Sequence, residues 1–240
     1  MGVTIPTFYA KHIEGPNAGS NVPDGFVFFD DFLSGIKAST SVNTTDWLVT
    51  RTGSGSTIVA DAGAGGYLAM TPGSSANDAE ELQLNGEIVK VVQGKPFRFA
   101  ARVKWGTSAE SIWYLGIATT DTTVIAGIND FVGFRKTTGS ATTFQAACID
   151  DTTATTITST GTTASYVTHT DGAFQVLAFE GVWGVGGYVD FWVDGNYVGR
   201  ISSNLPDVGA YMTLVMAQRS TSTNAAPMTV DWVKYEGIRE

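Results

Sequence analysis

The chain has 240 residues, of which 43% are hydrophobic and 11% aromatic, enough apolar material for a buried core and too much for wholesale disorder. Only 15% are charged, below the roughly 25% of average proteins, and abundant Gly, Ser and Thr take their place, which argues against long charged helices. The net charge of −9 repels phosphate backbones and anionic bilayers, so neither nucleic acid nor a membrane is an expected partner. Cys148 is the single cysteine, which excludes an internal disulfide framework and a cysteine-based zinc cluster. No run of 18 apolar residues occurs, so no membrane-spanning helix is expected. The first twenty residues lack an apolar core followed by a small-residue cleavage site, so no secretory signal is expected either.

Residues 1–25 carry Pro6, Pro16 and Pro23 among Gly15, Gly19 and Gly25, with no periodic apolar face. They read as an extended arm, either a frayed terminus or a strap laid on a partner, with Phe8, Tyr9 and Ile13 as its apolar anchors. From Phe26 to Glu240 short runs of β-branched and aromatic residues alternate with Gly, Asn, Asp, Ser and Thr, as strands and turns do. FVFFDDF (26–32) is the first run. AEELQLNGEIVKVV (79–92) contains helix formers, but Gly86 interrupts it, and its spacing fits two strands better than one helix. In PFRFAARVKW (96–105), Phe97, Phe99, Ala101, Val103 and Trp105 share one face, while Arg98, Arg102 and Lys104 share the other.

SIWYLGIA (111–118) and DFVGFRK (130–136) follow, then a tract at 152–170 in which 10 of 19 residues are Thr. That tract reads as a long surface hairpin or a weakly paired edge. FQVLAFEGVW (174–183) leads to GYVDFWVD (187–194), where Val189, Phe191 and Val193 oppose Tyr188, Asp190, Trp192 and Asp194. Asp194-Gly195-Asn196 is a hairpin turn, since Asp-Gly tolerates positive φ. YMTLVMAQR (211–219) and MTVDWVKYEG (228–237) close the chain. Many short strands without helical segments point to an all-β, two-sheet antiparallel sandwich of the jelly-roll kind, one domain over 26–240. Its sheets bury Phe97, Phe99, Val103, Phe191 and Val193 against each other, at about 1.5–3 kcal/mol per side chain.

FVFFDDF, the hairpin FQVLAFEGVWGVGGYVDFWVDGNYVGRI (174–201) and MTVDWVKYE (228–236) together resemble the concanavalin A-like (laminin G-like) lectin and glucanase jelly roll. The resemblance implies that the first and last strands are neighbours. It also implies that a structural calcium, where one is held, sits near Asp30, Asp31 and Asp231. Oxygen ligands suit that ion, although no Asp-x-Asp-x-Asp loop is present, and solvent-facing acids are the alternative. A narrower likeness, GIATTDTTVIAGINDFVGFRKTTGS (116–140) together with the proline-bearing arm, is similar to virion structural proteins of tailed bacteriophages. It implies a surface role on a head or tail and no catalysis.

Glycosidases of this fold carry paired carboxylates in a Glu-x-Asp-x-x-Glu pattern, alternate strand positions setting them roughly 5–5.5 Å apart. No Glu-x-Asp occurs in the chain. Asp78-Ala79-Glu80, with Glu81 adjacent, reads as a solvated start of a strand. No Gly-x-Ser-x-Gly elbow exists. Cys148, in an apolar strand, reads as an inert buried thiol, and His12 and His169 have no motif partners. Gly53 to Ser56 and Gly63 to Gly66 lack phosphate-loop spacing and read as turns. No catalytic residue, cofactor or enzymatic activity is therefore expected. The outward Tyr188 and Trp192 are candidates to stack on a sugar ring, to pack under the arm or a neighbouring subunit, or to lie beneath loops.

Two functions follow as expectations. The first is a non-enzymatic capsid decoration protein, homo-oligomeric, made in the host cytoplasm and found in the virion. It would be clamped through its arm to the major capsid protein or other virion subunits. The alternative is a carbohydrate-binding, lectin-like module or a tail-associated adhesion protein, with glycans as partners.

Overall fold

The computed structural model describes residues 25–32, 46–61, 66–106, 111–121, 123–139, 143–158, 168, 170–223 and 227–238. The arm anchors Phe8, Tyr9 and Ile13, and also His12 and His169, lie outside the described residues.

The strands are β1 (Gly25–Asp30), β2 (Trp47–Thr52), β3 (Thr57–Asp61), β4 (Tyr67–Thr71), β5 (Ala79–Leu84), β6 (Val89–Lys90), β7 (Pro96–Trp105) and β8 (Ser111–Ala118). They continue with β9 (Phe131–Lys136), β10 (Gln145–Asp150), β11 (Thr153–Ile157), β12 (Phe174–Val182), β13 (Tyr188–Val193), β14 (Asn196–Ile201), β15 (Tyr211–Ser220) and β16 (Met228–Ile238). One sheet runs β14-β13-β12-β7-β16-β4-β3, with β1 also on β16. The other runs β11-β10-β9-β8-β15-β5-β2, with β6 also on β15. All pairings are antiparallel. The expected all-β two-sheet sandwich is therefore observed, and the first and last strands are neighbours, Phe28 facing Tyr235.

The 79–92 stretch forms β5 and β6 rather than a helix. In the Thr-rich tract, Thr153–Ile157 pairs, among the described residues, only with β10 and ends the order of its sheet. The hairpin between β13 and β14 turns on Asp194 (φ 49°) and Gly195 (φ 77°), two consecutive positive φ values that match a type I′ turn. Asp194 Oδ1 accepts from Val176 N at 2.7 Å and ties the turn to β12. Among the described residues the only helix is the single turn Val124–Gly127, and no helix is long and apolar enough to cross a membrane.

The inner faces of the two sheets form one core. Trp105 of one sheet stacks on Trp113 of the other, centroids 4.7 Å apart. Phe134 meets Phe191 edge to face across the same gap, at 5.5 Å. Phe99 and Phe179 stack on neighbouring strands at 4.8 Å. Each such pair adds about 0.5–1.5 kcal/mol beyond area burial. Cys148 points into this core, where burial pushes its thiol pKa up and keeps it unreactive.

A carboxyl group sits on the core face. Glu80 shares the inward face of β5 with Leu82 and Leu84 and is fully buried. Neither carboxylate oxygen has a hydrogen bond of good geometry among the described residues. Its cross-strand neighbours are Gln218 and Arg51. Burial raises its pKa to about 9, against the opposing pull of Arg51 and of the backbone at Thr71. A strand does start here, β5 at Ala79 after a turn, but its expected solvation is corrected: Asp78, Glu80 and Glu81 are all buried, because β5 is flanked by β2 and β15 from its first residue.

With its folded pKa above its unfolded value, Glu80 is protonated in the folded state while the unfolded chain ionises. Stability then falls as pH rises from about 4.5 towards 9, by up to about 1.4 kcal/mol per pH unit. Glu80→Gln removes this slope. Chemical denaturation should find the variant equal to the parent near pH 4 and more stable by over about 1 kcal/mol at pH 8.

Candidate functional site

The outer faces of the two sheets differ. On β5, Glu81 and Gln83 point away from the core, and on β15 so do Thr213, Val215, Ala217 and Arg219. A second apolar cluster covers the middle of this face. Ile112, Tyr114, Phe131, Ile149 and Val215 of the strands meet Val124 and Ile128 of the 123–130 segment. Two β5 side chains hold that segment down. Gln83 Oε1 accepts from Asp121 N at 2.9 Å, and its Nε2 donates to the Asp121 carbonyl. Glu81 accepts from Val124 N at 2.9 Å and from Ile125 N at 3.2 Å, satisfying amides at the start of the helical turn.

Beside this clamp lies a pocket of about 210 Å³, lined by Thr52, Asn77, Ala79, Glu81, Thr123, Ile125, Ala126 and Arg219. Arg219 enters from β15 at the level of Ala79 on β5 and Ile112 on β8. Its Nε is buried without a hydrogen-bond partner. Burial raises the Glu81 pKa, the Ile125 and Val124 amides oppose that, Asp121 adds to it and Arg219 subtracts from it. Between the lining residues Asn77 and Ala79, Asp78 accepts from Ser75 N at 3.2 Å. A Cβ at Gly53 (φ 88°) would come within 1.7 Å of Asp78 Oδ1, so the turn there needs glycine for space as well as for backbone conformation.

The outer face of the other sheet is a row of ion pairs. Cross-strand register aligns Arg200, Asp190, Glu180, Arg98 and Glu236 over five strands. Arg200 grips Asp190 with Nε at 2.8 Å and Nη2 at 2.6 Å. Arg98 lies 3.3 Å from Glu180 and 3.8 Å from Glu236, and buried Lys234 lies 2.7 Å from Glu236. The predicted aromatics Tyr188 and Trp192 are on this face, but neither is an open platform. The Arg200 guanidinium covers one face of the Tyr188 ring at 3.7 Å. Trp192 is only 9% exposed and packs 5.8 Å from Tyr197. The half-exposed ring is Tyr197, whose hydroxyl donates to Asp190 at 3.1 Å.

The calcium candidates do not converge. Asp30 lies opposite Val233 on the core side of β1, and its carboxylate accepts from Trp47 Nε1 at 2.9 Å and Phe32 N at 2.8 Å. Asp231 is the extra residue of a β-bulge in β16. It turns to the opposite face and pairs with Arg102. Acidic oxygens do gather at Asp130, Asp150 and Asp151, all within 4.8 Å of one another. Lys136, also missed from sequence, is buried beside a smaller Thr-lined pocket. It donates to the Gly139 carbonyl at 2.9 Å, and burial lowers its pKa to about 8.

No protein-family profile and no curated protein sequence matches the chain. Solved structures do. A lichenase, a β-1,3-1,4-glucanase from a mouse hindgut metagenome, is similar at a TM-score of 0.57 and 15% identity, over 87% of this chain and 98% of its own. The carbohydrate recognition domain of Emp46p, in metal-free form, is similar at 0.55 and 10% identity, over 86% and 94%. The fold is the concanavalin A-like jelly roll. A protein of unknown function from Shewanella oneidensis MR-1 shares this jelly roll at 0.57 and 15% identity, over 100% and 96%.

Identities this low fix the fold and leave the activity to the site. These likenesses give the virion and capsid-decoration expectation no support. The expectation of a non-enzymatic chain is corrected, because glycoside hydrolases, the lichenase among them, are similar structures. That expectation rested on a motif along one strand. The fold brings carboxyl groups together across strands and loops instead, Glu81 with Asp121 and Glu180 with Asp190.

The Glu81 clamp is testable. Glu81→Ala leaves two amides without acceptors, and urea denaturation should show a loss of about 1–3 kcal/mol. Hydrogen exchange at the Val124 and Ile125 amides should accelerate selectively. Unchanged protection there would show that the apolar contacts alone hold the turn.

Proposed function

We propose that the chain is a carbohydrate-binding protein whose glycan site is the pocket between Glu81, Arg219 and the 123–126 turn. The observation that carries this reading is the composition of that pocket. A sugar presents hydroxyls around its rim and C–H faces above and below. The pocket answers with planar polar groups on Asn77, Arg219 and Glu81, hydroxyls on Thr52 and Thr123, and apolar contact from Ala79, Ile125 and Ala126. Fixed polar groups set beside apolar contacts are what orient a small ligand. Similarity to a carbohydrate recognition domain and to glucanases supports the same class of ligand. With no open aromatic platform in the pocket, affinity for a short oligosaccharide should be modest, at Kd of about 0.1–1 mM.

Glycan hydrolysis is the second reading, favoured by one observation. Glu81 is a buried carboxyl with a raised pKa, and Asp121 is close enough to raise it further. Two carboxyl groups in unlike environments are what proton donation to a glycosidic oxygen requires. In this reading Glu81 gives its proton to the leaving oxygen, and Asp121 takes a proton from the water that attacks the anomeric carbon.

Titration calorimetry against a panel of soluble oligosaccharides tests binding. Exposed Ala126 lines the pocket without supporting the core, so Ala126→Trp should fill the pocket, keep the fold and reduce glycan affinity at least tenfold. Undiminished binding by this variant would move the site elsewhere. Release of reducing ends by the parent, lost on Glu81→Gln while binding persists, would establish hydrolysis.

A further inference from the structure

We propose that this pocket selects an acidic sugar, a uronate, with the Arg219 guanidinium holding the carboxylate. The proposal rests on the carbohydrate reading of the same pocket and names the class of sugar it takes.

The argument is one of unfilled valence. A guanidinium carries five N–H donors in a fixed fork. Among the described residues Arg219 Nε is buried and donates to nothing. Glu81 and Arg219 sense each other electrostatically. Glu81 is already committed elsewhere: it accepts the Val124 and Ile125 amides, and among the described residues it forms no ion pair with Arg219. Asp121 is likewise engaged, its Oδ1 accepting Thr123 N at 2.8 Å. The protein thus places a cation in a pocket and spends the nearby carboxylates on holding a loop. Elsewhere on the same molecule guanidinium groups are paired, Arg200 with Asp190 and Arg102 with Asp231.

The buried Nε is closed to a ligand, so an entering group meets the terminal nitrogens of Arg219, which lines the pocket. A planar carboxylate fits the fork with two parallel charge-assisted bonds, each about twice as strong as a neutral one. A volume of about 210 Å³ suits one sugar ring, and the hydroxyls of Thr52 and Thr123 with the Asn77 amide serve the ring hydroxyls. A neutral sugar offers Arg219 only hydroxyl oxygens, so it should bind more weakly in the same pose.

The test is titration calorimetry of the full chain with trimers of galacturonate, glucuronate and mannuronate, their methyl esters and the matching neutral trimers. At least one uronate trimer should bind tenfold or more tighter than both its ester and its neutral counterpart. Arg219→Gln should bring the acid down to the neutral level, and Arg219→Lys should restore only part, because an ammonium lacks the fork. The ester comparison uses the unaltered protein, so it stands even if Arg219→Gln fails to fold. Equal affinity for acids, esters and neutral trimers overturns the uronate proposal and leaves the carbohydrate reading intact. No binding of any of them at millimolar concentration overturns both.

Discussion

The packing of aromatic rings between the two sheets is the constraint on which everything else depends. Trp105 against Trp113 and Phe134 against Phe191 join the sheets face to face, and Phe144 wedges against both tryptophans. Full burial of a large apolar side chain is worth about 1.5–3 kcal/mol, and interiors this dense tolerate few voids. Every strand must therefore present its apolar residues inward at alternate positions. The outward positions are thereby released from the core and become free to carry charge, pairing and ligand contacts.

The two outer faces use that freedom differently. One closes on itself, with cations and carboxylates in cross-strand register and Arg200 laid over Tyr188. Most of its polar groups already have partners, which makes it a structural surface. The other face is covered by a loop that Gln83 and Glu81 pin to the sheet. A loop on a sheet leaves a crevice at its margin, and the pocket sits in that crevice. The faces thus differ in what their charges do: on one they pair across strands, and on the other Arg219 lines the pocket at the margin of the loop.

Much of the fold was legible in the sequence because period-two alternation is a direct record of burial. Phe97 through Trp105 and Val189 through Val193 occupy the core face as read, and Asp194-Gly195 turns as its residue types require. The site was less legible for a physical reason. Sequence shows which residues lie on one strand, whereas the pocket assembles Asn77, Glu81, Thr123 and Arg219 from one strand, its neighbour and two loops. Asp30 and Asp231 illustrate the same limit: adjacent strands suggested a shared ion, yet a bulge at Asp231 sends the two carboxylates to opposite faces. Tyr188 and Trp192 point outward as read, but the register that lays Arg200 on Tyr188 depends on a second bulge between β13 and β14.

The pair Glu80 and Glu81 joins the core to the site. Side chains alternate along a strand, so adjacent glutamates on β5 face opposite ways. Glu80 goes inward at a cost in solvation, and Glu81 goes outward to clamp the loop beside the pocket. A slip of one residue would exchange them, turn Leu82 and Leu84 out of the core, and replace the clamp by an apolar face. The burial of those two leucines, with Trp47 and Val49 opposite them on β2, therefore fixes which glutamate serves the pocket. Stability of the core and geometry of the site are thus set by a single register, and the buried Glu80 is tolerated because a one-residue slip would bury Glu81 and Gln83 in place of Leu82 and Leu84.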